Sequence, residues 1–139
     1  MSFVRSSTSR RPRYTGPDDD TRAKVMWRDG YCIRCGETLH ERRPHVLHHR
    51  RPRAMGGTQR PDVNSPQNLV WLCCPCHDFI EANRAEAYMK GWLVAQSADP
   101  LGVPLLVVHV DEDGVPHREA KWVYLTADFG YSDAPGGES

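Results

Sequence analysis

Four cysteines and three histidines carry the chemistry open to this sequence. Cys32-Ile-Arg-Cys35 and Cys73-Cys-Pro-Cys76 each hold two thiols with two residues between them. That spacing lets both sulfurs of a tight turn face one ion while the turn's amides stabilise the thiolates. Two such knuckles make a closed four-sulfur site, the donor set of structural Zn²⁺. The 37 residues between the knuckles are more than a finger needs, so this segment reads as an insertion with a purpose of its own. An iron–sulfur cluster uses the same four thiolates, and free buried cysteines are the plainer alternative. Cys74 has only one residue between it and Cys76 and is assigned to packing.

Between and just after the knuckles lie His48, His49, Asn68 and His77. A lone histidine is usually a satisfied core or surface residue, and that is the reading for His40, His45, His109 and His117. His48, His49 and His77 differ by position. A metal joining the knuckles would draw the residue after Cys76 back against the strand that ends at His49. Two imidazoles would then share a second ion with positions left for water and substrate oxygens. Neighbouring strand residues point to opposite faces, so His48 and His49 need a strand end to address one site, and Arg50-Arg-Pro52 offers one. Arg50, Arg51 and Arg53 can hold phosphates bidentately, with a solvated loop as the alternative.

The elements that must position these groups are short. Asp18, Asp19, Asp20 and Thr21 offer capping groups for a helix from Thr21 to Asp29, with Val25 and Met26 inward and Gly30 as its stop. His45–His49 and Asn68–Leu72 read as strands, with a proline- and glycine-rich loop around Gly56-Gly57 between them. A 3.6-residue apolar pattern predicts a helix from Pro75 or Cys76 to about Lys90, ended by Gly91. Trp92–Val94, Leu105–Val110 and Lys121–Leu125 read as strands, the last two joined by a turn at Asp111-Glu-Asp-Gly114. Trp92, Trp122 and Tyr124 are expected to pack on the core. The organisation is therefore a basic disordered arm (1–17), a metal-stapled core (18–90), a β-rich extension (91–127) and a flexible tail (128–139).

The zero net charge of the 139 residues hides an asymmetry. Residues 1–60 carry 14 Lys and Arg against 6 Asp and Glu, whereas residues 61–139 carry 4 against 12. The basic half suits a phosphate backbone. Five cysteines in two tight clusters, behind an N-terminus with no apolar run, argue against a disulfide framework and a secretory signal. No stretch suits a membrane span. A cytoplasmic protein is the expectation.

The order Cys-x-x-Cys, His-His, Gly-Gly loop, Asn-Leu-Val, Cys-x-x-Cys-His resembles the HNH, or ββα-metal, nucleases. His48-His-Arg-Arg-Pro-Arg-Ala-Met-Gly-Gly57 is similar to the small HNH proteins of actinobacterial phages. The resemblance spans about residues 21–90 and includes the nine-residue step from Asn68 to His77. It implies an α+β fold with a ββα-metal core, a four-cysteine zinc staple and a β-rich C-terminal extension. It implies His48 and His77 as ligands of the catalytic ion, in a His-His variant where many relatives have aspartate first. His49 would be the general base and Asn68 would tie down the loop presenting it. The implied activity is metal-dependent hydrolysis of DNA phosphodiester bonds, as weakly specific nicking or double-strand cutting. The ions implied are Zn²⁺ for structure and Mg²⁺ or Mn²⁺ for catalysis, with Ni²⁺ or Zn²⁺ as substitutes. The implied partners are DNA and phage terminase or packaging proteins, in a bacterial host's cytoplasm, with the chain a monomer or weak dimer. Three rival readings are a zinc-stapled DNA-binding module without catalysis, a phage-assembly protein with a damaged site, and a metal-dependent RNase. The His49/His77 pair, which a mere binder does not need, favours the nuclease.

Overall fold

The computed structural model describes residues 16–38, 44–52, 62–110 and 116–135. The basic arm up to residue 15, Arg53, the Gly56-Gly57 pair, His40 and the 111–114 turn lie outside them, as do the side chains of His109 and His117. The first helix, α1, runs Asp19–Asp29. It begins two residues before the expected start because Asp18, not Thr21, is the cap: its Oδ1 accepts from the Thr21 amide at 2.8 Å. Gly30, at φ 70°, closes the helix with its N–H on the Met26 carbonyl, the left-handed stop that glycine makes cheaply. Val25 is buried, whereas Met26 is only half-buried.

Strands β1 (His45–His49) and β2 (Leu69–Cys73) pair antiparallel, with His48 opposite Val70 and His49 opposite Leu69. Every residue of β2 is buried, because α1 packs on it and α2 (Cys74–Ala82) follows directly and packs on both strands. This explains a continuous apolar run in place of alternation. Asn68 does not begin the strand as expected. It ends a 3-10 turn, Pro66–Asn68.

The single helix expected to reach Lys90 is two, α2 and α3 (Arg84–Met89). Asn83 divides them. Its side-chain Nδ2 donates to the Phe79 carbonyl at 2.9 Å, taking the acceptor that its own amide would use in an unbroken helix. Trp92–Val94 is not a strand. The Trp92 and Leu93 amides donate back to Ala87 and the Val94 amide to Arg50, so this buried apolar segment anchors the helix end instead of joining a sheet.

The extension is a three-stranded antiparallel sheet, β3 (Leu105–Val110), β4 (Pro116–Leu125) and β5 (Tyr131–Ser132), in that spatial order. The expectation of a frayed tail from residue 128 is corrected by β5. Tyr131 pairs with Leu125, and its hydroxyl donates to the buried Asp29 carboxylate at 2.6 Å. Asp29 also accepts from Arg28 and from the Trp71 amide, so one carboxylate joins α1, β2 and the C-terminal sheet. The two sheets share one core. Ile33 of the first knuckle donates to Trp71 and accepts from Val108, and Ile80, Leu93, Leu105, Val107, Val123 and Leu125 fill the space behind it. Trp92 packs inward as expected and Trp122 is half exposed. No helix among the described residues is long and apolar enough to cross a membrane.

Candidate active site

The knuckles meet as the spacing requires. The sulfurs of Cys32, Cys35, Cys73 and Cys76 lie within 4.8 Å of one another, with Cys35 and Cys73 3.8 Å apart. A tetrahedron of sulfurs about 2.3 Å from a central ion has edges of about 3.8 Å. The backbone prepares this arrangement: the Cys32 amide donates to Glu37 and the Gly36 amide to Cys32. Crowding four thiols raises the cost of ionising them together. The Cys76 thiol donates to Cys32 and holds it down to about 5, while burial pushes Cys35 up to about 11 and Cys76 is driven upward by the same pairing. A dication removes that conflict, and the donor set fits a structural metal such as zinc. Cys74 is half-buried and outside the cluster.

Arg34, inside the first knuckle, donates to Cys76 Sγ at 3.3 Å and lies 3.6 Å over the Phe79 ring. It braces the second knuckle and α2 together. His77, the residue after Cys76, therefore stands on a helical turn fixed by the cluster, with Pro75 preset in the first turn.

His77 and the end of β1 form the walls of a shallow cleft of about 240 Å³, lined by Leu47, His48, His49, Pro52, His77, Glu81 and Arg84. His48, His77 and Glu81 converge, each offering a ligand atom within 4.8 Å of the others. The His48 and His77 rings meet edge to face at 5.4 Å, and His77 Nε2 is 3.9 Å from Glu81 Oε2. Burial pushes the His48 pKa down to about 4, so at neutral pH the ring keeps a lone pair for a ligand bond. His48 Nε2 lies 2.8 Å from the Trp92 carbonyl, which can only accept. The proton therefore sits on Nε2 and Nδ1 is left basic, the arrangement by which a carbonyl orients a metal-binding imidazole.

His49 is the last residue of β1 and lines the same cleft, so the strand end does bring both histidines to one place. Its Nε2 donates to Asn64 Oδ1 at 2.7 Å, leaving Nδ1 as its basic atom. Asn68, fully buried, clamps the loop beyond His49: Oδ1 accepts from the Arg51 amide at 2.6 Å, and Nδ2 donates to Arg51 and Val63 carbonyls.

Two expected phosphate ligands are corrected by their burial. The Arg50 guanidinium is fully buried and donates to the carbonyls of Gly91, Gln67, Pro100 and Val103. Arg51 donates to the Ala98 carbonyl and to Asp62. Both turn inward because the chain must leave β1 through the space between the β-ribbon and the 91–103 segment, whose carbonyls face that space. Sequence reasoning missed Glu81, Arg84 and Asn64. Glu81 had a signal, falling four residues after His77 on one face of α2, whereas Arg84 follows the break at Asn83, which the periodicity does not reveal. Asn64 had none.

No curated protein and no solved structure matches the chain. Residues 32–82 match the family model described as HNH endonuclease. The match runs from the first cysteine through β1, β2 and α2 and takes in His48, His49, Asn68, His77 and Glu81. This segment is thus similar to an HNH endonuclease domain, and the match supports phosphodiester hydrolase activity.

Proposed function

We propose that the chain hydrolyses DNA phosphodiester bonds in the cleft between β1 and α2, with one divalent ion on His48, His77 and Glu81 and His49 as the base. The observation that carries this reading is the convergence of those three groups beside the His49 imidazole, which lines the same cleft with its Nε2 on Asn64. His49 Nδ1 takes a proton from water, the resulting hydroxide oxygen bonds to phosphorus, and the bond to the 3′ oxygen breaks, that oxygen gaining a proton from solvent. Asn64 on Nε2 fixes the tautomer and stabilises the imidazolium that forms. A bound divalent ion supplies charge neutralisation at the phosphorane and the departing oxygen. Asn68 holds the loop so that His49 keeps its aim. A carboxylate beside two imidazoles suits Mg²⁺ or Mn²⁺ better than two imidazoles alone, so Glu81 argues for those ions in catalysis, with Zn²⁺ in the cysteine site.

Supercoiled plasmid incubated with Mg²⁺ or Mn²⁺ is expected to be nicked or linearised, and the product to disappear with His49→Ala. Loss of about 100-fold or more fits removal of a general base. A protein that binds the plasmid yet never cuts it with any divalent ion would instead be a zinc-stapled binding module.

A further inference from the structure

With Arg50 and Arg51 turned inward, Arg84 is the permanent cation among the described residues that line the cleft. It lies two residues past the stretch matched to the endonuclease family, so that match assigns it no role. We propose that Arg84 binds the scissile phosphate and neutralises the charge that develops on it during cleavage. This rests on the nuclease reading above.

The placement follows from contact. His77 and Glu81 are one turn apart on α2, and Arg84, which opens α3 beyond the break at Asn83, lines the same cleft and reaches back to Glu81, so a group held by the first two is within the compass of the third. The side chain is half exposed (46%) and its Nη1 donates to Glu81 Oε1 at 3.0 Å. Nη2 reaches the Tyr88 hydroxyl at 3.4 Å, and the guanidinium lies 5.9 Å from that ring. An arginine carries five N–H donors. Two are engaged on the Glu81 and Tyr88 side, which orients the plane, and the others remain for phosphate oxygens.

Charge supplies the reason. A phosphodiester carries one negative charge and its pentacovalent transition state two. A divalent ion and the Glu81 carboxylate balance the ground state; in the transition state a second negative charge gathers on the phosphoryl oxygens, while the compensating positive charge forms on the His49 imidazole and not at those oxygens. Arg84 sets positive charge against the oxygens themselves, so its contribution belongs to the chemical step more than to DNA binding. An exposed i,i+3 ion pair with Glu81 and nothing more would be worth little to either.

The test uses the full chain loaded with zinc and compares wild type, Arg84→Ala and Arg84→Lys. Single-turnover cleavage with Mn²⁺, DNA affinity, and Mn²⁺ affinity measured by electron paramagnetic resonance without DNA are read for each. Arg84→Ala is expected to cut about 100-fold more slowly, in the range seen on removing a transition-state donor. DNA and Mn²⁺ affinities are expected to stay within about threefold, and Arg84→Lys to recover part of the rate. Cleavage by Arg84→Ala at the wild-type rate overturns the proposal while leaving the nuclease reading intact. So does a rate loss matched by an equal loss of Mn²⁺ affinity without rescue by lysine, which would mean that Arg84 acts only through Glu81. A wild type that never cuts overturns both.

Discussion

At the scale of the residue, Arg50 shows how a charge can serve the fold in a segment that reads as a nucleic-acid contact. Its guanidinium binds four carbonyls from separate stretches of chain, with Val103 at 2.7 Å and Gly91 and Gln67 at 2.9 Å. Desolvation is the main force on it, aided by the charge of Arg28, and together they push its pKa down to about 9, which leaves it protonated at neutral pH. Truncating it strands those carbonyls in a dry interior, so Arg50→Ala should cost about 3–5 kcal/mol in urea unfolding, the range for breaking a buried polar network. A change under about 1 kcal/mol would mean that water or neighbouring donors satisfy the same carbonyls. The residue also marks the limit of reading this sequence. The cysteine knuckles and the His48, His49, Asn68 and His77 set were legible because their spacing expresses local geometry. Whether Arg50 and Arg51 point outward depends on carbonyls between 17 and 53 residues away, and no local pattern encodes that. Glu81 was legible in principle, one turn beyond His77, but a carboxylate on a surface helix is common enough to pass as solvated, and Arg84 stands beyond the unforeseen break at Asn83.

At the scale of the element, the region after α3 decides the position of His48. The expected helix to Lys90 and strand at Trp92–Val94 differ from the structure for physical reasons: Asn83 competes for a helical carbonyl, and the apolar triplet buries itself against the core. Periodicity sees the apolar residues and not those competitors. Gly91 makes the turn between them at φ 78°. A Cβ there would sit 1.9 Å from the Pro104 carbonyl oxygen, so the backbone itself would have to move. Gly91→Ala is expected to destabilise the protein by about 3 kcal/mol or more, combining a left-handed φ with a backbone clash. The neighbouring Trp92 carbonyl holds His48 Nε2, so the shift should also weaken divalent-ion affinity at the cleft in molecules that remain folded. Calorimetry with and without Mn²⁺ separates the two effects. An unchanged unfolding midpoint would show that β3 can retreat from Gly91 freely.

At the scale of the whole molecule, the four-cysteine cluster and the Asp29 carboxylate each tie together three separate parts of the chain. Asp29 gathers α1, β2 and β5. The cluster gathers the first knuckle, the end of β2 and the start of α2. His77 follows Cys76 directly, so the cleft inherits its geometry from the cluster, and the ion there should govern activity without taking part in the chemistry. Metal binding of this kind contributes folding free energy, because the unfolded chain has no preformed site. Stripping the protein with a strong chelator should therefore lower its unfolding midpoint sharply and abolish cleavage. Returning Mg²⁺ alone should restore neither property, because a hard cation does not hold thiolates. Returning Zn²⁺ should restore the midpoint, and Zn²⁺ with Mg²⁺ should restore cleavage. Recovery of cutting with Mg²⁺ alone, at an unfolding midpoint that stays low, would show that β1 and α2 hold the cleft together without the staple, leaving the knuckles to serve stability only.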